Sequence, residues 1–298
     1  MPLPEGSGPT IALVTGASSG IGRATAVQLG ERGARVVLVA RGRGSLEEAA
    51  TEVRAAGAAE VVVCPADVLD DDAIAAVVRS TVAQFGRLDT VVHSAQVMAY
   101  GRVEDVPREV YERVVDTAVH GTANVARHVL PVFRRQGAGH LAIVNSLLGN
   151  VTTPLMGSYV AAKWGQLGLA RTLQQEVRDV PGISVSIVQP GGVNTPIYTQ
   201  GASWAGSTGR PPPPAYSPQR VASRVLSTLD APVRVVQAGI FNPLITAGFR
   251  LLPGVYDVLV GPLLQRLAMS NDEVGPTEGN VFESKPEGNA TEGRWRSV

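Results

Sequence analysis

Ser146, Tyr159 and Lys163 occur in an order that suits acid–base work on an oxygen atom. Tyr159 and Lys163 are four positions apart, so on a helix they share one face and the ammonium lies beside the phenol. A cation there favours phenolate and lowers a tyrosine pKa from about 10 towards the working range. Tyr159 then serves as general acid and base towards an alcohol or a carbonyl. Ser146 ends an apolar, β-branched run and is placed to hydrogen-bond the same oxygen. A tyrosine four residues before a lysine also arises by chance, but composition argues against chance here. Of the 26 lysines and arginines only Lys163 and Lys285 are lysine, and one of the two stands at this place. A guanidinium keeps the charge but cannot present a compact ammonium to a phenol and a ribose.

A second chemical feature is Thr15-Gly16-Ala17-Ser18-Ser19-Gly20-Ile21-Gly22, which follows the first apolar run and leads into a helical pattern. Glycines there allow a tight turn and let backbone amides approach a pyrophosphate, which a helix N-terminus favours electrostatically. The plainer alternative is a turn that serves only close packing. After the second apolar run comes Ala40-Arg41-Gly42-Arg43, without a carboxylate. An acid at that place binds a ribose 2′-hydroxyl, whereas an arginine fork accommodates a 2′-phosphate. The pattern therefore predicts NADP rather than NAD, against the alternative of two solvated arginines in a loop.

The elements that must position these groups alternate regularly. Ile11–Val14, Arg35–Val39, Val61–Cys64, Thr90–His93, Leu141–Asn145, Ser184–Val188 and Val233–Val236 read as strands. Ile21–Arg32, Ser45–Ala56, Asp71–Phe85, Pro107–Arg135, Tyr159–Arg178 and Pro218–Leu229 read as helices. Strands apolar on both faces and separated by helices imply an α/β fold, a doubly wound parallel sheet of the Rossmann type. The expected division is a binding and catalytic domain over residues 1–239 and a C-terminal extension over 240–298. Gly191–Tyr216, with Pro211–Pro214, reads as a long loop over the carboxyl edge of the sheet. Phe241–Met269 is apolar with three prolines, and Ser270–Val298 is polar and Gly-rich, so the latter reads as irregular or disordered.

Composition narrows the function. Hydrophobic residues make up 44% and charged residues 17%, as in a packed globular protein, and 26 basic residues balance 26 acidic ones. A neutral chain lacks the basic excess of a nucleic-acid binder. The single cysteine, Cys64, excludes a disulfide framework, and four scattered histidines form no ligand cluster, so no metal is expected. Met1–Pro9 reads as no signal peptide, and Ala238–Leu264 is too interrupted for a spanning helix, which makes the cytoplasm the default address.

Together these residues resemble the short-chain dehydrogenase/reductase family, in its branch with the TGxxxGxG glycine pattern, over roughly Thr10–Gly239. The resemblance implies that Gly16, Ser18, Ser19, Gly20, Ile21 and Gly22 bind the dinucleotide together with Arg41. It implies that Asp67 and Val68 meet the adenine, and that Ser94 and Ala95 line the cofactor. Pro190, Gly191, Val193 and Thr195 would form the turn at the nicotinamide, and Ser146, Tyr159 and Lys163 the catalytic trio, with Tyr159 and Lys163 also touching the cofactor. Hydride transfer between a nicotinamide and a carbonyl or alcohol follows, in a homodimer or homotetramer.

Four positions depart from the family pattern. His93-Ser94-Ala95-Gln96 replaces Asn-Asn-Ala-Gly, so Gln96 narrows the space beside the cofactor, and His93 reads as a structural histidine or an adenosine support. Alignment on Gly121 places Ala118 where the family often has the asparagine of a proton relay, leaving only a backbone carbonyl. These departures leave open a catalytically silent NADP-binding sensor or scaffold, and an epimerase or dehydratase is a third reading.

Leu147, Leu148, Val151, Met156 and Trp164 lie near the trio in sequence, with Met98 and Tyr100 after the fourth strand. Ile197, Tyr198 and Trp204 lie in the long loop, and all of these point to an apolar ketone or secondary alcohol. Phe241–Met269 reads as a lid or a subunit contact ahead of a membrane-touching piece, because only Arg250 and Arg266 are basic.

Overall fold

The computed structural model describes residues 8–298. The reading of no leader rests on Met1–Pro9, of which residues 1–7 lie outside the described residues. Strands β1 (Ile11–Thr15), β2 (Arg35–Ala40), β3 (Glu60–Pro65) and β4 (Thr90–His93) alternate with helices α1 (Gly20–Glu31), α2 (Arg43–Ala55) and α3 (Asp71–Phe85). After the short β5 (Ala99–Tyr100) come α4 (Arg108–Gln136), β6 (Gly139–Val144), α5 (Gly157–Glu176) and β7 (Ile183–Pro190). The chain continues through α6 (Ile197–Gln200), β8 (Ala202–Ser203), β9 (Ser207–Gly209), α7 (Pro218–Asp230) and β10 (Val235–Ala238). It ends with α8 (Asn242–Leu251), α9 (Pro253–Ala268) and β11 (Met269–Glu273).

Seven strands form one parallel sheet in the order β10-β7-β6-β4-β1-β2-β3. β1 is bonded to both β2 and β4, so the chain reverses its winding direction there. The divergence leaves a crevice at the carboxyl ends of those strands, where doubly wound folds bind ligands. One face of the sheet packs against α3, α4 and α5, the other against α1, α2 and α7. The five inner strands are buried on both faces, as a parallel sheet requires, while the edge strands β3 and β10 are partly exposed. Boundaries are local chemistry. Asp70 caps α3 by accepting from the Ala73 amide at 2.9 Å, and Ser217 caps α7 with Pro218 in its first turn.

Beyond Gly239, where the sequence assigns no helix or strand to Phe241–Met269, the structure places two helices. α8 and α9 form a helical hairpin joined at Leu252. Pro243 and Pro253 sit in the first turns, where the missing N–H needs no partner, and only Pro262 lies inside a helix. β11 pairs antiparallel with β9, and β5 pairs with β8. Residues 274–298 hold no helix or strand, yet they pack, with Val281 fully buried. Among the described residues no helix is long and apolar enough to cross a membrane.

Candidate active site

Ser146 follows β6 directly and caps the short helical turn Leu147–Gly149, accepting from the Leu148 amide at 3.1 Å. Tyr159 and Lys163 lie on the buried face of α5, whose first turn starts at Gly157. The Ser146 hydroxyl hydrogen-bonds the Tyr159 phenol, and Lys163 Nζ lies 5.7 Å from the Tyr159 ring centre. The ammonium of Lys163 is 2% exposed and donates to the Val144 carbonyl at 3.1 Å and to Gln166 Oε1 at 3.0 Å.

Burial sets the charge states of this group, which corrects the expected lowering of the phenol. The Tyr159 pKa is pushed up to about 12 by burial, partly opposed by the Ser146 hydrogen bond. Burial alone pushes Lys163 down to about 7. The ammonium is turned towards Val144 and Gln166 rather than towards the phenolic oxygen, so desolvation decides.

The trio faces a cavity of about 620 Å³ at the switch point. Of the expected cofactor residues, Gly16, Ser18, Ser19, Gly20, Ile21, Arg41, Asp67, Val68, Ser94, Ala95, Pro190, Gly191, Val193 and Thr195 all line it. Gly22 does not, because it supports the turn from behind. A Cβ on Gly22 would meet the Gly16 carbonyl oxygen at 2.2 Å. Gly16 (φ 68°) and Gly20 (φ 53°) adopt left-handed backbone that side chains disfavour, and a Cβ on Gly16 would meet the Ala95 amide at 2.8 Å. This bare backbone cradle fits a dinucleotide.

Three expected contacts are already engaged, one of them the Gly20 amide, which donates to the Ala290 carbonyl at 3.0 Å. Arg41 donates from both terminal nitrogens to carbonyls of residues 280–282, so its fork is not open to a phosphate. Asp67 pairs with Arg113 through Oδ2 and accepts from the Leu69 amide at 3.0 Å through Oδ1. His93 is fully buried, bonded to Thr15 Oγ1 at 2.9 Å through Nδ1, and does not line the cavity, as a structural histidine would be. Gln96 lines the cavity and donates to the Val97 carbonyl at 2.7 Å.

The other half of the cavity is apolar. Met98, Tyr100, Leu147, Leu148, Val151, Met156, Ile197 and Tyr198 line it as expected. Trp164 and Trp204 do not. Trp164 is 43% exposed and meets Phe249 edge-on at 6.3 Å, while Trp204 packs beside Gly101. Ile245, Leu252, Val255, Leu259 and Leu264 of the α8–α9 hairpin complete the wall.

The sequence reading missed Gln166. Its Oε1 accepts from Lys163 and, at 3.0 Å, from Asn145, while its Nε2 donates to Thr122 Oγ1 at 3.0 Å and the Ala118 carbonyl at 3.5 Å. A glutamine three residues after Lys163, on the same helix face, was the available signal.

The family model described as short chain dehydrogenase matches residues 10–206. The chain belongs to the short-chain dehydrogenase/reductase family. Its fold and its class follow from that membership: it is an oxidoreductase of the CH–OH group that uses a nicotinamide cofactor. It is 34% identical over 180 residues to the 3-oxoacyl-[acyl-carrier-protein] reductase FabG of Staphylococcus aureus, covering 60% of this chain and 73% of that protein. An alcohol dehydrogenase of the archaeon Thermococcus sibiricus, solved with 5-hydroxy-NADP, superposes with a TM-score of 0.66 at 28% identity. That match covers 76% of this chain and 94% of the other. A family member from Burkholderia phymatum, solved with NAD, shares the fold with a TM-score of 0.73 at 24% identity, over 85% and 96% of the two chains.

Proposed function

We propose that this family member is an NADP-dependent reductase of an apolar ketone, or in reverse a dehydrogenase of the secondary alcohol. One observation carries the reading. Ser146, Tyr159 and Lys163 stand where the glycine-lined half of the cavity meets its apolar half. A cofactor held by the glycine turn would supply or accept the hydride. Ser146 holds the substrate oxygen, so the reacting atoms are oriented before transfer. Tyr159, protonated at neutral pH by its raised pKa, gives its proton to that oxygen in the reducing direction. Lys163, whose pKa lies at about 7, receives or returns a proton near physiological pH and meets the nicotinamide ribose. Gly16, Ile21 and Thr195 would hold the phosphates, and Val68 and Asp67 the adenine side.

The apolar wall from Met98 to Leu264 supports a substrate without an anionic group, because no cationic side chain lines that half. As part of the same proposal the protein works in the cytoplasm as a homodimer or homotetramer packed through α4 and α5, which size-exclusion chromatography with light scattering reads directly. The function is tested by titrating NADPH and NADH and following oxidation of the tighter one across a panel of ketones. Turnover on apolar ketones with NADPH supports the reading. Binding without turnover on any carbonyl or alcohol contradicts it in favour of a sensor.

A further inference from the structure

Residues 280–290 lie along the dinucleotide half of the cavity and are fastened at both ends. Arg41 Nη1 donates to the carbonyls of Val281 at 2.8 Å and Phe282 at 3.0 Å, and Nη2 to that of Asn280 at 2.5 Å. At the far end the Gly20 amide donates to the Ala290 carbonyl at 3.0 Å. Between them Gln200 Nε2 donates to the carbonyls of Lys285 at 3.2 Å and Glu287 at 3.4 Å.

The segment is held mainly by its carbonyls, with Asn280 Nδ2 donating to Gln200 Oε1 at 3.3 Å and Asn289 Oδ1 accepting from Gln200 Nε2 at 3.2 Å, and Asn280, Ser284, Lys285 and Asn289 line the cavity. Asn280 Oδ1 is buried there without a donor, so it is an acceptor in want of a hydroxyl or amino group. Ser284 sits against Gly42, where a Cβ would come within 2.3 Å of its Oγ. Gly42 follows β2, at the corner where this fold reads the ribose 2′ position. Arg41 stands at that corner with three of its N–H groups engaged by the strap. Lys285, one of two lysines in the chain, follows Ser284 and lines the same cavity, and among the described residues no carboxylate pairs with it, whereas Arg43, beside Gly42, pairs with Glu47 at 3.7 Å. An ammonium is a compact point charge suited to a phosphate.

We propose that residues 280–290 are a strap completing the adenosine end of the cofactor cleft, in which Lys285 is the cation for the 2′-phosphate of NADP and Arg41 is the latch that holds the strap. The inference rests on the NADP reading above and deepens it. Lys285, not Arg41, then sets the preference between the two nicotinamide cofactors.

The test compares the full chain with its Lys285→Met variant, by fluorescence titration with NADPH and NADH and by hydrogen exchange. Lys285→Met is expected to raise the NADPH dissociation constant by about tenfold and to move that of NADH by less than about twofold, the signature of one lost phosphate contact. NADPH is expected to slow amide exchange across residues 280–290. An unchanged NADPH constant in Lys285→Met overturns the inference alone. Faster exchange of residues 280–290 with NADPH bound also overturns it, because the segment would then compete with the cofactor. Failure of the full chain to bind either cofactor, or a preference for NADH, overturns the NADP reading and this inference with it.

Discussion

Lys163 Nζ donates to Gln166 Oε1 at 3.0 Å, one turn further along α5, and Gln166 passes the contact on to Thr122 and the Ala118 carbonyl. Ala118 offers only its backbone carbonyl from α4, and Gln166 brings a side-chain amide to it from α5. Gln166 is a positioning residue for the buried ammonium.

Removing that amide therefore has two expected effects. Gln166→Leu leaves Lys163 and Asn145 short of an acceptor and destabilises the fold by about 1–3 kcal/mol, read by urea unfolding. Gln166→Glu keeps an acceptor and adds a negative charge, so it raises the Lys163 pKa above its value of about 7. The rate–pH profile then moves to higher pH by about one unit or more. A purely structural role for Gln166 would leave the profile where it is.

Buried bases give the protein a defined dependence of stability on pH. His93 has its pKa lowered to about 3 and His140 to about 4, both chiefly by burial. The unfolded chain binds protons at these sites from about pH 6.5 downwards while the folded one does not, so stability falls as the pH drops below that value. The slope is about 1.4 kcal/mol per pH unit for each group, and His93→Asn should reduce it by one group's share. Lys163 acts in the same sense at higher pH. Its folded pKa of about 7 lies below the unfolded 10.5, so stability rises between those values, and Lys163→Met removes that rise. Urea unfolding at pH 4.5, 6.5 and 9 measures both.

Much of this molecule was legible because local pattern and global position agree. The seven sheet strands and six of the helices announce themselves through β-branched runs and apolar periodicity, and the Gly16–Gly22 turn and Tyr159/Lys163 pair carry their own spacing. α8 and α9 were not legible because prolines at 243, 253 and 262 read as breaks, whereas two of them occupy first turns. Residues 274–298 carry no apolar period, since Arg41, Asn194 and Gln200 hold them through backbone carbonyls. Such partners lie far away in the chain and leave no local trace. The bonds of Arg41 to residues 280–282 and the raised Tyr159 pKa were hidden for one reason: hydrogen-bond partners and burial depend on contacts that spacing does not encode.

The glycine turn offers a sharp steric prediction. Gly22→Ala places a methyl 2.2 Å from the Gly16 carbonyl oxygen, and that oxygen belongs to backbone that cannot swing aside. The turn must distort, so NADPH binding is expected to be lost. Circular dichroism separates loss of the turn from loss of the fold.

The α8–α9 wall makes a prediction about substrate. Leu264 is 8% exposed, lines the cavity and belongs to the cluster that holds Tyr159. Leu264→Asn puts a polar amide into an apolar wall, and a buried leucine is worth about 1.5–3 kcal/mol of transfer free energy. The value of kcat/KM for a bulky apolar ketone should fall by about tenfold or more, with a smaller change for a short polar ketone. Equal losses on both would place the substrate elsewhere.

The central claim is that Tyr159 transfers the proton in a reductase whose cofactor cleft is intact. The most direct measurement is single-turnover oxidation of NADPH by Tyr159→Phe, beside an NADPH titration of the same variant. The account predicts an unchanged dissociation constant with a rate lower by about a hundredfold to ten-thousandfold. A Phe variant that oxidises NADPH as fast as the parent protein would contradict it.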